Sequence, residues 1–460
     1  MTSGTLPART AGEKRSRKHS RDLWAVLIAA VLVAVAVAVG AYLNRPGSGV
    51  VLWAPAAPLF AQWLPHFGPG TLFAVLIAIA VVLWGPDLAA RLPWRWLLAA
   101  GYVSSLAWTF ALAMIDGWHR GFTDRLTNPN EYLHEVPGIT DIPAMLRQFS
   151  SRILDFQPNS WTTHVSGHPP GATLVFVWLD RIGLSGGAWA ATVCVLVGCL
   201  VTVAVPLTLS ALHRCDAARA TIPFAVLFPG AVWIGVSADG MFAGVTATGI
   251  ALIAVATHGF RAGRWHAVPL SVLGGALLGF GVYLSYGLPL IGLIAFAVTL
   301  LGGSLTRALP FAVAGALAVV VAFTAAGFWW FDGYHLVVER YYQGIASARP
   351  YSYWVWADLA ALVLAAGPAL VAGVRRAAAA SVHWRLSKRC DPVVLLVAAA
   401  VVAIVLADVS GLSKAETERI WLPFMVWLLP AVSLLPSRRG WLAGQALTAL
   451  AVNSLVLTFW

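Results

Sequence analysis

The sequence predicts an all-α integral membrane protein: a polytopic helical bundle of about thirteen spans, with a long extracytoplasmic loop that contains surface helices. Three observations predict this fold class. Hydrophobic residues make up 59% of the 460 residues and charged residues only 11%, whereas soluble domains carry about 25% charge. Apolar runs long enough to cross a bilayer recur along the whole chain. Basic residues concentrate in alternate connecting segments.

Residues 1–22 are polar and basic, and we expect a disordered cytoplasmic tail ahead of a single transmembrane domain over residues 23–460. The first apolar run, 23–43, is about 20 residues long and can span a bilayer. It is too long for the apolar core of a signal peptide, so we expect an uncleaved span that runs from inside to outside. The remaining spans are predicted at 71–85, 97–115, 187–212, 219–236, 240–257, 268–284, 287–303, 309–328, 354–374, 392–408, 420–435 and 440–458.

The distribution of charge predicts the orientation of these spans. Twenty of the 30 Lys and Arg residues lie in segments assigned to the inside, together with only five of the 19 Asp and Glu residues. Because basic residues concentrate in cytoplasmic loops, we expect a multi-pass protein of the cell membrane with its N-terminus in the cytoplasm and its C-terminus outside. The same rule explains the net charge of +11 without a nucleic-acid partner.

The longest polar loop between spans covers residues 116–186, and the charge pattern places it outside the membrane. A carboxylate near the outer membrane surface can act as a general base. Asp116, which directly follows an apolar helix, is the first candidate, and Glu131 is the second. The alternative for each acid is a solvated charge or a helix cap, and Asp124 and Asp141 are the best cap candidates because Asp is preferred at that position.

Two histidines stand four residues apart near the end of this loop. His164 and His168 could bind a metal ion together on one face of a helix, but Pro169 disfavours helix at His168. His168 is therefore expected to orient a substrate or a carboxylate. The following segment, 169–184, holds only about ten apolar residues, too few to cross a bilayer. We expect it to form a re-entrant or surface-lying helix.

Further polar clusters are predicted on the same outer side. Asp239 lies in the turn between two spans. Four outward-facing cations could hold a phosphate, since Arg binds phosphate bidentately and Lys supplies a point charge: Arg340, Arg349, Lys414 and Arg419. The alternative is that each cation pairs with a neighbouring acid, as Arg419 could with Glu416, or Arg340 with Glu339 or Asp332.

These motifs, in this order, resemble the glycosyltransferase C superfamily, most closely its protein O-mannosyltransferase and aminoarabinose transferase type. The resemblance rests on an acid at the outer end of an early span followed by four motifs: Asn130-Glu131-Tyr132-Leu133, Gly167-His168-Pro169-Pro170-Gly171, Asp239 at an outer turn, and Glu418-Arg419 ahead of Pro423. The whole chain looks still more like a group of uncharacterised actinobacterial membrane proteins that share GHPPG, SAD, GFWWxDG and LSKxExERIWLPF-like stretches.

The resemblance implies transfer of a sugar from a polyprenyl-phosphate donor to an acceptor hydroxyl of a glycan, lipid or protein on the outer face. The loop acid would serve as base or as a metal-linked acid, so a divalent metal is one option. That role falls on Asp116 or Glu131, while Arg419, Lys414 and Arg340 would meet the phosphate. The other residues expected to bind substrate are Asp124, Tyr132, His164, His168, Asp239, Trp329, Trp330, Tyr341 and Glu418.

Two other functions would fit a polytopic membrane protein. A transporter or lipid flippase would carry ionisable residues at mid-membrane depth, whereas here the charged residues gather at one face. A non-catalytic membrane scaffold would scatter its outer charges over the surface. Convergence of Asp116, His168 and Arg419 on one outer cavity would favour the enzyme.

Overall fold

The computed structural model describes residues 11–459 apart from 304, 388, 389 and 437, and it is largely helical. The α-helices of the described chain are α1 (Ala11–Leu43), α2 (Pro69–Arg91), α3 (Trp94–Ala113), α4 (Ile142–Gln148), α5 (Thr163–Gly167), α6 (Pro170–Arg181), α7 (Gly187–Gly198), α8 (Val201–Ala211), α9 (Cys215–Val226), α10 (Ala231–Ile234), α11 (Ala238–Arg261), α12 (Ala267–Leu284), α13 (Gly292–Leu301), α14 (Ala308–Ala325), α15 (Trp330–Gln343), α16 (Tyr351–Ala366), α17 (Pro368–Ser387), α18 (Pro392–Val409), α19 (Thr417–Ile420), α20 (Leu422–Met425) and α21 (Arg439–Leu455). Two short strands, β1 (Ala61–Trp63) and β2 (Val456–Thr458), pair antiparallel.

Short 3-10 or π turns complete the secondary structure. They lie at His119–Thr123, Tyr132–His134, Val136–Gly138, Ser150–Arg152, Leu288–Ile291, Ile345–Ser347 and Val426–Leu434. Four of them fall in the long polar loop after α3. That loop is therefore built from short turns and the small helices α4, α5 and α6.

Eight helical segments of the described chain are long and apolar enough to cross a membrane, or nine if α16 and α17 form one span bent by 110°. The eight are His19–Leu43, Pro69–Arg91, Trp94–Ala113, Gly187–Ala211, Ala238–Arg261, Ala267–Leu284, Ala308–Ala325 and Pro392–Val409. The all-helical membrane fold is confirmed. The predicted count of thirteen spans is not confirmed.

Four predicted spans correspond to shorter or interrupted helices: 219–236, 287–303, 420–435 and 440–458. Prolines lie in the first three, and a proline has no backbone N–H to donate to the helix. In the fourth, α21 ends at Leu455 and the chain continues as β2. Hydropathy alone does not reveal these interruptions, because the residues remain apolar throughout.

Helix α1 extends back to Ala11 and so includes residues 11–22 of the expected disordered tail; residues 1–10 lie outside the described residues. Near the end of this polar stretch, Asp22 is fully buried. It pairs with Arg375 at 2.8 Å and with Arg376 at 2.6 Å. A buried carboxylate needs such partners, and this contact ties the start of α1 to α17.

The short apolar segment after Pro169 forms α6, which has twelve residues and a length of about 18 Å. It is too short to cross a bilayer. Its apolar face, from Pro170 to Val177, is buried, and it packs against α12. The expected short helix next to the polar loop is therefore present.

The polar groups separate to two ends of the bundle. Helices α2 and α21 are antiparallel and define these two ends. At one end, Asp87 near the end of α2 pairs with Arg439 at the start of α21. At the other end, β1 pairs with β2. The ion pairs near Asp87 join only segments predicted to lie inside: Asp22 with Arg375 and Arg376, and Arg214 with Asp391. This grouping agrees with the expected sidedness, and the direction across the membrane stays a prediction.

Helix α12 approaches α11 and α14 closely through glycines. A Cβ at Gly275 would lie 1.8 Å from the carbonyl oxygen of Ala312 in α14. A Cβ at Gly274 would lie 2.7 Å from the carbonyl oxygen of Gly249 in α11. Membrane helices commonly pack through small residues in this way, and neither crossing has room for a larger side chain.

We expect Gly275→Ala to destabilise the protein by roughly 1–3 kcal/mol, the usual effect of overpacking, because the new methyl group must displace the backbone of α14. Gly292→Ala is the matched control, since a Cβ there meets nothing within 4 Å. Thermal unfolding of both variants in detergent, followed by tryptophan fluorescence, measures the difference. Equal melting temperatures would show that α12 and α14 are farther apart than described.

Candidate active site

The polar loop after α3 folds back on itself, so that residues near position 130 meet residues near position 164. The backbone N–H of His164 donates to the carbonyl oxygen of Asn130 at 2.9 Å. The hydroxyl of Thr163 donates to the side-chain oxygen of Asn130 at 3.3 Å. Helix α5 begins at Thr163, which places His164 in its first turn. The loop therefore brings Glu131 and Tyr132 next to the two histidines.

These four side chains form a connected group. Glu131 Oε1 lies 3.1 Å from His164 Nδ1, and the hydroxyl of Tyr132 lies 2.9 Å from His168 Nδ1. Glu131, Tyr132 and His164 are buried. The second oxygen of Glu131 is also buried, and it has no hydrogen-bond partner among the described residues. This oxygen is the one available to a bound substrate.

His168 has an extended backbone, with φ −126° and ψ 154°, as expected for a residue that precedes a proline. Its Nδ1 lies 2.8 Å from the carbonyl oxygen of His164, and its ring packs 5.6 Å from the ring of Phe242. Burial lowers the pKa of His168 to about 4, although the nearby Asp239 acts in the opposite direction. The imidazole is therefore neutral at physiological pH.

A chain of buried ion pairs lies beside this group. Asp239, in the first turn of α11, accepts a hydrogen bond from Arg419 Nη1. The other terminal nitrogen of Arg419 donates to Glu416 Oε2 at 2.7 Å, and Glu416 Oε1 accepts from Arg349 Nη1 at 3.1 Å. Acid and base alternate along this chain, as buried charges require. The pairing of Arg419 with Glu416 that the sequence allowed is confirmed.

The backbone around Glu416 is strained to make these contacts. Ala415 and Glu416 have φ values of +69° and +66°, in the left-handed region that residues other than glycine rarely adopt. Asp358 supports the turn, because its carboxylate accepts a hydrogen bond from the N–H of Ala415 at 3.1 Å. Strain of this kind tends to persist at functional sites.

The electrostatics of Glu416 link the ion-pair chain to the histidines. Burial raises the pKa of Glu416, but the charges of Arg419, Arg349 and His164 outweigh burial and hold the pKa below its ordinary value. Burial also raises the pKa of Tyr132 well above its usual range, and neighbouring Glu131 adds to that effect. The two groups therefore form one site, which we name the Glu131–Arg419 cluster: Glu131, Tyr132, His164, His168, Asp239, Arg349, Glu416 and Arg419.

Asp116 lies apart from this cluster. Its side chain is only 3% exposed and contacts His66 at 2.7 Å, Arg125 at 2.9 Å and Arg120 at 3.5 Å. Arg125 also donates to the carbonyl oxygen of Thr458 at 2.7 Å. Among the described residues, no hydrogen bond or ion pair joins Asp116 to the Glu131–Arg419 cluster. Asp116 instead fastens the start of the loop to the chain around β1 and β2.

Glu418 is fully buried but points away from Arg419. Its Oε1 accepts a hydrogen bond from the backbone N–H of Phe60 at 2.9 Å, and its Oε2 has no partner among the described residues. Burial raises the pKa of Glu418 to about 7, so this carboxyl group is partly protonated at neutral pH. Its contact ties α19 to the segment ahead of β1.

Three other predicted residues support the cluster from outside. The ammonium of Lys414 donates to the carbonyl oxygens of Ala346 at 2.6 Å and Arg349 at 3.0 Å. The hydroxyl of Tyr341 accepts from the backbone N–H of Lys414 at 2.8 Å. Arg340 forms an ion pair with Asp155. These cations are therefore held by protein partners.

Three predicted substrate-binding residues do not reach the cluster. The side chain of Asp124 is 57% exposed and accepts from the hydroxyl of Thr123. Trp329 is exposed, and Trp330 donates to the carbonyl oxygen of Val282 at 3.0 Å. Among the described residues, none of the three contacts the Glu131–Arg419 cluster by a hydrogen bond, an ion pair or a ring contact. Asp124 does not cap an α-helix, whereas Asp141 caps α4 as predicted, by accepting from Ala144 N.

The sequence interpretation did not recognise the bridging role of Glu416. It considered Glu416 only as a partner of Arg419, whereas Glu416 bridges Arg419 and Arg349. Arg349 was named as an outward-facing cation that could hold a phosphate, but it was not carried into the predicted site.

The described residues contain no group of three or more His, Cys, Asp or Glu side chains that is arranged to hold a metal ion. Glu131 and His164 are occupied with each other, and Asp239 and Glu416 are occupied with arginines. The arrangement of these side chains therefore does not itself form a metal site.

The fold is similar to that of an archaeal membrane enzyme. The Archaeoglobus fulgidus oligosaccharyltransferase in complex with Zn and sulfate aligns with a TM-score of 0.51 and 14% identity, over 78% of this chain and 53% of that chain. Its apo form aligns with a TM-score of 0.53 and 13% identity, over 79% of this chain and 56% of that chain. The chain thus spans about half the length of these structures.

No protein-family model matches the sequence, and no curated protein matches it. At 13–14% identity, the likeness to the oligosaccharyltransferase shows a shared fold. Membership of the glycosyltransferase C superfamily, and the likeness to its protein O-mannosyltransferase type and to the actinobacterial group, stay predictions.

Proposed function

We propose that this chain is a membrane glycosyltransferase that moves a sugar from a polyprenyl-phosphate donor to an acceptor hydroxyl outside the cytoplasm. The observation that carries the proposal is the environment of Glu131. One carboxylate oxygen is held by His164, and the other is buried without a partner beside the positive charge of Arg419. The fold shared with an oligosaccharyltransferase supports this class of reaction.

Glu131 is the base in this proposal. Its free oxygen takes the proton from the acceptor hydroxyl, and the acceptor oxygen forms a bond to the anomeric carbon of the sugar. The bond between that carbon and the phosphate oxygen breaks, and its electron pair leaves with the polyprenyl phosphate. General base catalysis of this kind contributes about 10²–10⁴-fold in rate. Asp116 cannot act in this way as readily, since two cations and a histidine already occupy its oxygens.

The arginines supply positive charge for the donor phosphate. Arg419 is fixed by Asp239 and Glu416, so it acts mainly through its charge. Arg349 Nη2 is buried without a hydrogen-bond partner among the described residues, and it is the donor that remains open to a phosphate oxygen. Lys414 and Arg340 are held by carbonyl oxygens and by Asp155, so in this proposal they position the surrounding loops.

The alternatives explain the site less well. A scaffold would not need the charged and titratable side chains of the Glu131–Arg419 cluster, six of which are buried. A transporter or flippase would need ionisable groups along a path through the membrane, whereas the charged groups of the cluster gather at the end of the bundle that holds the polar loop. In this proposal the acceptor is a glycan, lipid or protein of the cell envelope.

We expect Glu131→Gln to lower sugar transfer by at least about 100-fold, the usual contribution of a general base. The amide keeps the size of the side chain but cannot accept the proton. Transfer is measured in membranes with radiolabelled polyprenyl-phosphate sugars as donors. Asp116→Asn is the comparison, and it should lower the melting temperature, because His66 and Arg125 lose a charged partner.

Full transfer by Glu131→Gln would rule out Glu131 as the base. A loss of transfer in Asp116→Asn at unchanged melting temperature would return that role to Asp116. Absence of transfer by the wild-type protein from every donor of this class would count against the proposed function itself.

We expect His168 to make the protein less stable in acid. Its pKa is about 4 in the folded protein, against 6.5 for an unperturbed histidine. Between these values the unfolded chain binds a proton that the folded chain does not, so the free energy of unfolding falls as pH decreases through this window. The full shift corresponds to about 3 kcal/mol. His168→Gln should therefore lose less stability than wild type between about pH 7 and pH 5.

Scanning fluorimetry across this pH range measures that difference. His119→Gln is the control, because the side chain of His119 is 81% exposed. The carboxylates are the same in all three proteins. An identical pH dependence of wild type and His168→Gln would show that His168 is not buried in its neutral form.

A further inference from the structure

A second polar surface lies outside the Glu131–Arg419 cluster, between α15 and the loop ahead of α5. A groove of about 460 Å³ separates these two segments. Leu154 and Leu336 contribute to its walls, and its polar lining residues are Ser150, Ser151, Gln157, Asp332 and His335. The proposed mechanism uses none of them.

Three of these side chains are open to a ligand. Gln157, Asp332 and His335 form no side-chain hydrogen bond or ion pair with any residue that the structure describes. A carboxylate, an amide and an imidazole together offer both donors and acceptors. A few convergent polar groups in a concave, partly apolar setting are typical of sites for small polar molecules.

Phe156 directly precedes the lining residue Gln157, and its ring is in solvent. The residue is 83% exposed, and its backbone has φ +65°, a conformation that is costly for a bulky side chain. The neighbouring Asp155 holds Phe156 in this conformation. The backbone N–H of Asp155 donates to Gln343 Oε1 at 2.7 Å, and the carboxylate of Asp155 accepts from Phe156 N at 3.0 Å. The fold thus keeps an aromatic ring exposed at a cost in backbone energy.

The groove is connected to the candidate active site through one side chain. Arg340 of α15 forms an ion pair with Asp155, and its Nε donates to the hydroxyl of Ser166 at 3.1 Å. Ser166 lies in α5, between His164 and His168. A molecule bound in the groove would therefore lie against the same loop that carries the two histidines.

We propose that this groove binds a carbohydrate chain, with the ring of Phe156 stacked on the apolar face of one sugar and Gln157, Asp332 and His335 bonded to its hydroxyls. An aromatic ring next to polar side chains suits a sugar, which is apolar on its face and polar at its edge. The bilayer is the other possible partner of an exposed ring, and the test below includes insertion into lipid as an outcome that would overturn the proposal.

This inference rests on the proposed function, and it assigns the acceptor to the class of glycans. The acceptor chain is held by the groove, and its terminal hydroxyl extends to Glu131. The groove and the base are separate groups of residues, so the two assignments can fail independently.

The test uses the full chain in lipid nanodiscs and a panel of linear oligosaccharides of mannose, glucose, galactose and arabinose. Binding is measured by saturation-transfer NMR titration. We expect at least one oligosaccharide to bind wild type, and Phe156→Ala to weaken that binding about tenfold through loss of the stacked ring. Phe156→Trp should retain binding. Phe67→Ala is the matched control, because Phe67 is also 83% exposed.

Binding that Phe156→Ala does not change, or no binding of any panel member, would overturn the proposal. So would stronger quenching by brominated lipid in Phe156→Trp than in wild type, whose 22 tryptophans set the background, because the added ring would then lie in the bilayer. Glu131→Gln should bind the oligosaccharide as wild type does while failing to transfer sugar to it. Binding without transfer by wild type would retain the carbohydrate site but remove the acceptor role.

Discussion

Arg419 is buried between Asp239 and Glu416, and the candidate site depends on this pairing. The contact joins the start of α11 to the strained turn before α19, and Arg349 extends it to the segment after α15. A charge buried in this way is stable only while its partners remain, and removing one partner of such a pair typically costs about 3–5 kcal/mol. Three distant parts of the chain are thereby held at fixed positions around Glu131.

The polar loop carries two acids with different surroundings. Asp116 accepts contacts from His66, Arg120 and Arg125, and these bind the start of the loop to the strands. Glu131 has one partner and one open oxygen. The first environment fills both carboxylate oxygens with protein contacts, and the second leaves one oxygen without a partner among the described residues. Near the end of the loop, Arg340 contacts both Ser166 and Asp155. Asp155 is next to the exposed ring of Phe156.

Much of the fold follows from local sequence. Long apolar runs predict the membrane helices, the asymmetry of charge predicts inner and outer segments, and Pro169 predicts the extended backbone of His168. The shortness of the apolar run after Pro169 predicts the short helix. The predicted count of thirteen spans is not confirmed, because prolines interrupt several apolar runs and hydropathy does not register a broken helix. The motifs predicted Glu131, His168, Asp239 and Arg419 for one site, and the structure places all four in the Glu131–Arg419 cluster.

The choice between Asp116 and Glu131 was beyond the sequence, because both are loop carboxylates near the ends of apolar helices. The two acids differ in the donors that contact their oxygens in the folded chain. His66 and Arg125 contact Asp116, and His164 contacts Glu131. These three donors come from different parts of the chain. The bridge that Glu416 forms between Arg349 and Arg419 was beyond the sequence for the same reason. Residue type and hydropathy determined the membrane fold and the residues capable of chemistry, whereas tertiary structure alone decided which charges neutralise one another and which oxygen remains open.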